Sequence, residues 1–169
     1  IYSAEITAQG ADSVITYPST ESSVNDRQEK FTFKLKNLGN KQDTIDVEVV
    51  GSGSTFPDEW TASVHTSSIC SGSFSGLVGA GSSKTFYLCI TPDMDSEPGN
   101  YTVFVEAKAR NGAEEPVTAS VMVEVRDPIR SVTLAADEPG IILAPEQGND
   151  EKNTARFKVV ITNTGSHAD

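Results

Sequence analysis

Apolar residues return at every second position through most of this chain, and that period admits little besides β-strands. Phe31, Phe33 and Leu35 share one face of 31–36, with Thr32, Lys34 and Lys36 on the other. Ile45, Val47 and Val49 alternate with Asp46 and Glu48, and Phe86, Leu88 and Ile90 alternate with Tyr87 and Cys89. Tyr101, Val103, Val105 and Ala107 form another face; Val117, Ala119, Val121, Val123 and Val125 form the last. Each segment reads as a strand with one buried and one wet side. The turn-forming clusters NLGNKQ, GSGSTFPDE, GAGSS, PDMDSEPGN and NGAEEP separate them, and no stretch carries a 3.6-residue apolar stripe. The pattern predicts strands near 2–8, 13–17, 30–37, 43–50, 60–66, 84–91, 100–109 and 116–126. Seven or eight short antiparallel strands in that length make an all-β sandwich.

Asp127-Pro128 interrupts the alternation, because proline cannot donate within a ladder. Beyond it the chain repeats its own beginning. Asn37, Gly39 and Asp43 match Asn163, Gly165 and Asp169 at one offset, 163 − 37 = 126. The same shift places Phe31 on Phe157, Leu35 on Ile161, Ile15 on Ile141 and Thr7 on Thr133, without a gap. Residues 1–127 are therefore expected to be one complete sandwich, and 128–169 the opening strands of a second. Forty-odd residues with about three strands cannot close a two-sheet core alone. Strands from elsewhere would have to complete it.

The 24 acidic against 13 basic residues give a formal charge of −11. That balance argues against nucleic acid and anionic membrane surfaces, both of which call for clustered Lys and Arg. No run of 18 apolar residues exists, so no helical membrane insertion is expected. The first residues, IYSAEITAQG, lack a starting Met and a signal-peptide layout, as expected of an excised or processed segment. Cys70 and Cys89 allow one intrachain bridge, and neither has the spacing of a zinc ligand.

A strand ending in Asn-x-Gly, a following Asp-Thr, a later Trp and a Pro-Gly-x-Tyr lead into a strand form a recognisable set. The pieces are FKLKNLGNKQDTIDVEV, PDEWTASV, GAGSSKTFYLCITP and EPGNYTVFVEAKA. Together they resemble the NEW3/CARDB-type immunoglobulin-like domains of archaeal and bacterial secreted or cell-surface proteins. The resemblance covers residues 1–127 and the start of a second copy. It implies a spacer or accessory module, often in tandem, and no catalysis. Within it, Gly39 and Gly165 would supply the positive φ of a tight turn. Asn37 and Asn163 would bond to the turn backbone, and Pro98-Gly99 would bend the chain before Tyr101 enters the core.

Several residues could carry chemistry. His65 and His167 are the only histidines; no GxSxG elbow accompanies His65, which reads as a polar surface residue. Asp93, Asp95 and Glu97 have the alternate spacing of hard oxygen ligands and make calcium the one candidate cofactor, although the remaining EF-hand positions are missing. Asp58 and Glu59 are weaker candidates of the same kind. Trp60 could stack on a sugar, but at this place in a sandwich the bland reading is core. Alternation turns Tyr87 and Phe104 outward as a small aromatic patch. Cys89 points away from Phe86, Leu88 and Ile90, and a Cys70–Cys89 disulfide closing the Gly/Ser-rich excursion would add about 3 kcal/mol in the chain-entropy model. Such a bridge fits an oxidising exterior. Asn100-Tyr101-Thr102 is the sole N-x-[ST] sequon, which makes Asn100 a glycosylation candidate beside its plain role as a turn residue.

These features point to a non-enzymatic, extracellular or cell-surface repeat that acts as a spacer or interaction module, with neighbouring Ig-like repeats or subunits as partners. Two alternatives stay open. One is a carbohydrate-binding accessory module with polysaccharide as ligand. The other is a self-assembling filament or layer subunit completed by a neighbour's strands.

Overall fold

A computed structural model describes residues 3–20, 23–112, 115–129, 131–136 and 158–165. The backbone divides into two compact units, Ile1–Asp127 and Pro128–Asp169.

The first unit contains nine described strands: β1 (Ala4–Gln9), β2 (Ser13–Thr16), β3 (Glu29–Asn37), β4 (Asp43–Val50), β5 (Thr61–His65), β6 (Leu77–Val78), β7 (Ser83–Thr91), β8 (Gly99–Ala109) and β9 (Val117–Val125). One sheet has the order β1-β3-β7-β5, the other β2-β9-β8-β4-β6. The faces predicted from alternation meet between them. Phe33, Leu35, Phe86, Leu88, Ile90, Val103, Val105 and Val123 are wholly buried. Phe33 and Phe86 stack at 5.2 Å across the β3–β7 pair. Burying such a ring or branched chain contributes about 1.5–3 kcal/mol, so this row dominates the unit's stability.

Eight expected strands are present with ends shifted by at most two residues, and β6 is an addition. Two residues flanked by glycines carry no alternation; β6 exists because Asp43 and Thr44 offer it an edge. One pairing departs from the antiparallel expectation. β1 and β2 run in the same direction, separated by a kink at Gly10 (φ 96°), and the chain crosses from one sheet to the other there. β2 therefore lands beside β9 in parallel. The strand directions also place the chain's entry and exit at opposite ends. β1 starts opposite Asn37, whereas β9 ends opposite Gly99 and next to Thr16.

In the second unit, β10 (Val132–Ala136) and β11 (Val159–Asn163) form an antiparallel pair. They reproduce β1 and β3, with one correction to the repeat. Asn163 pairs with Val132 as Asn37 pairs with Ala4, so β11 follows β3 at 126 but β10 follows β1 at 132 − 4 = 128. The gapless alignment of Thr7 on Thr133 is thus wrong by two residues. Two is an even slip, and the faces are preserved. Phe157, Ile141 and Asp169 lie outside the described residues.

Candidate functional site

At the end of the first unit where the chain enters, Asn37 is 1% exposed and works as a hub. Its Nδ2 donates to the carbonyls of Lys41 (2.9 Å) and Val78 (3.0 Å), and its Oδ1 accepts from Gly39 N–H (2.8 Å). The amide thus ties the β3–β4 turn to β6, a strand 41 residues away. Asn163 Oδ1 accepts from Gly165 N–H at the same 2.8 Å. Neither Gly39 nor Gly165 has a positive φ, contrary to expectation. The side-chain bond from Asn closes the turn, so left-handed backbone is not needed. At Gly165 a Cβ would lie 2.3 Å from the Ile129 carbonyl, so close approach explains that glycine.

Beside Asn37, Asp43 is buried and accepts from Thr44 N–H and from both nitrogens of Asn111, which joins β4 to the β8–β9 turn. Arg110 then grips Asp46 through Nε and Nη2. That hydrogen bond, working against desolvation and aided by the guanidinium charge, holds the Asp46 carboxyl below its ordinary value. The pair is largely exposed.

The opposite end, where the chain leaves, holds Trp60. It is 4% exposed, lies 4.7 Å from the Tyr101 ring and donates Nε1–H to Ser96 Oγ at 2.8 Å. Trp60 is part of the buried core cluster and also lines the cavity that opens beside it. Tyr101 Oη donates to the Glu97 carbonyl (2.8 Å). Between these rings and the loop after β7 opens a cavity of about 410 Å³ lined by Pro57, Glu59, Trp60, Asp93, Asp95, Ser96, Glu97 and Tyr101. Asp93 turns its Oδ1 back onto Asp95 N–H and its carbonyl onto Ser96. Among the described residues no three His, Cys, Asp or Glu side chains are gathered as a metal would need, so Asp93, Asp95 and Glu97 are not assembled for calcium. Glu59 lies at the cavity wall, and Asp58 is exposed beside it.

Tyr87 and Phe104 do not form one patch. Tyr87 is on β7 and Phe104 on β8, in different sheets, and the loop at 51–55 lies against Phe104. Asn100 is exposed near the start of β8. His65 Nε2 meets Ser63 Oγ at 2.7 Å and its Nδ1 faces the Gly72 carbonyl at 3.3 Å. A carbonyl only accepts, so the Nδ1 contact requires the proton on Nδ1. The place that an acid fills in a triad is held here by a peptide group. His167 lies outside the described residues.

Cys70 and Cys89 are joined, with Cα atoms 6.0 Å apart. Cys89 is on the outward side of β7, as alternation requires, yet only 1% exposed. The 66–76 excursion returns over it, pairing Ser73 with His65 and Thr66 with Gly72. Cys70 reaches it from a left-handed backbone (φ 55°), while Ile69 points to solvent.

No family model and no curated protein matches the chain. Among solved structures it is similar to a family 123 glycoside hydrolase from Clostridium perfringens, with 10% identity and a TM-score of 0.49 over 75% of this chain and 28% of that one. It is similar to E. coli alpha-2-macroglobulin with 11% identity and a TM-score of 0.48, over 84% of this chain and 8% of that one. The E. coli chaperone DraB gives 16% identity and a TM-score of 0.39, over 75% and 55%. The chain thus spans about a quarter of the hydrolase and under a tenth of the macroglobulin. Likenesses this distant carry nothing about activity or partners. By its own strand order the chain is an immunoglobulin-like β-sandwich followed by the opening strand pair of a similar unit.

Proposed function

We propose that this chain is a non-catalytic repeat of the NEW3/CARDB type from an extracytoplasmic protein, working as a spacer and protein-contact module. The observation that carries this reading is the recurrence, past Asp127, of the same strand pair and the same Asn-to-Gly turn bond. Entry and exit at opposite ends suit a module strung within an array. The disulfide supports an oxidising location. Titrating the 169-residue chain against a panel of soluble and insoluble polysaccharides tests it. Saturable binding would overturn it in favour of a sugar-binding module.

A second reading, assembly through strands of a neighbour, is favoured by one specific observation. Leu134 and Ile161 are each 70% exposed, and Val132 and Val159 lie exposed beside them. Their counterparts Ile6, Leu35, Ala4 and Phe33 pack in the core of the first unit. The occupant this face fits is the Val-rich inner side of another Ig-like sheet, as β8 and β9 provide in the first unit. Sedimentation over a wide concentration range tests it; a monomer throughout would remove it.

A further inference from the structure

Asn111-Gly112 is the one Asn-Gly pair in the chain, and the structure holds it in a particular way. An asparagine followed by glycine is open to attack on its side chain, because no side chain shields the next backbone nitrogen. Gly112 N forms a bond to Asn111 Cγ, the Cγ–Nδ2 bond breaks, and ammonia leaves. Water then opens the succinimide at either carbonyl, leaving aspartate or isoaspartate at position 111. Here both participants are engaged. Gly112 N–H donates to the Ala109 carbonyl at 3.3 Å. Asn111 Nδ2 donates to Asp43 Oδ1, and Asn111 N–H approaches Asp43 Oδ2 at 3.4 Å.

Asp43 is itself 3% exposed and also accepts from Thr44 N–H at 2.8 Å. A carboxylate can only accept, so it tolerates the Asn111 amide and nothing else of that shape. Replacing that amide by a second carboxylate sets two acceptors of like charge against each other, one of them buried. Asp46, three residues along β4, is already taken by Arg110. Arg110 also feels the Asp43 charge, but no described ion pair places a cation in direct contact with residue 43.

We propose that Asn111 is a spontaneous covalent modification site gated by Asp43. While the Asp43–Asn111 bonds are closed, deamidation is slow. Once it has occurred, the new carboxylate is expelled, and the side-chain tie from Asp43 to the β8–β9 turn is lost, while Arg110 N–H stays on the Thr44 carbonyl. The change is one-way, so the modified fraction records how often and how long this end of the sandwich has opened.

Peptide mapping by mass spectrometry tests the proposal on the intact 169-residue protein held in mildly alkaline buffer. A synthetic peptide spanning the β8–β9 turn serves as the unprotected reference. A hydrogen bond to a charged acceptor corresponds to about tenfold or more in rate, so the folded protein should deamidate at Asn111 at least that much more slowly than the peptide. Asp43→Asn should move the folded rate toward the peptide's, and Asn111→Asp should speed amide exchange at Gly112 and Thr44. Equal rates in folded protein and peptide would overturn the proposal. So would an Asn111→Asp variant whose Gly112 and Thr44 exchange as slowly as in the parent. If Asp43→Asn fails to fold, those two comparisons decide without it.

Discussion

Asn37 shows how one side chain can hold three pieces of chain together. Replacing it with Ala leaves the Gly39 N–H and the carbonyls of Lys41 and Val78 without the amide, and the Val78 bond is buried. Each stranded group costs about 1–3 kcal/mol, and relaxation of the turn to water recovers part of it, so we expect a loss of about 2–4 kcal/mol. A lower urea midpoint with unchanged slope would show it; a midpoint within error of the parent would mean the turn closes without Asn37. Asp46 gives the residue-scale pH dependence. Its folded pKa is lowered from 3.8 by Arg110, so the pair's stabilisation is present above that value and is lost as pH falls through the lowered one. Exposure and salt keep the effect small. Asp46→Asn should flatten the acid limb of stability against pH at low salt and change nothing at high salt. An unchanged acid limb would assign that limb to other carboxylates.

At the scale of elements, alternation made β3, β4, β7, β8 and β9 legible, because each has one face in the core and one in water. The same signal could not show β6, which is two residues long and defined wholly by a distant partner. Nor could it show that Cys89 is covered, since the cover is a loop with no period of its own. The outward face of Trp60 was open in the sequence for a similar reason: burial at a strand's end depends on Ser96 and Tyr101, both far along the chain. Gly76 tests the account of β6. A Cβ there would lie 1.7 Å from the Ile45 carbonyl, and Gly76 O accepts from Ile45 N–H. Gly76→Ala must push β6 from β4, at about 1–3 kcal/mol for forced overpacking. Amide exchange at Ile45 should speed up while Val105 in β8 stays protected. Unchanged Ile45 exchange would mean that β4 moves with the loop. Removing the 19-residue Cys70–Cys89 link should cost about 3 kcal/mol, read as a shift in thermal midpoint between oxidised and reduced protein.

For the whole molecule, the two units differ in what covers the same sheet face. In the first, β1 lies against β9 and β8, and Phe33 and Leu35 of β3 are fully buried in one core with Val103, Val105 and Val123. In the second, Val159 and Ile161 at the same positions are 55% and 70% exposed. Burial of two such side chains would contribute about 3–6 kcal/mol, enough to bias association without fixing it. Leu134 and Ile161 sit opposite each other in the β10–β11 ladder, so a charge at either lands at the centre of the face. Leu134→Asp should therefore abolish any concentration-dependent rise in mass measured by light scattering. The emission of Trp60 serves as the control that the first unit remains folded in the variant. Association that survives the charge would move the contact surface elsewhere on the chain. A parent protein that stays monomeric at every concentration would leave the spacer reading alone.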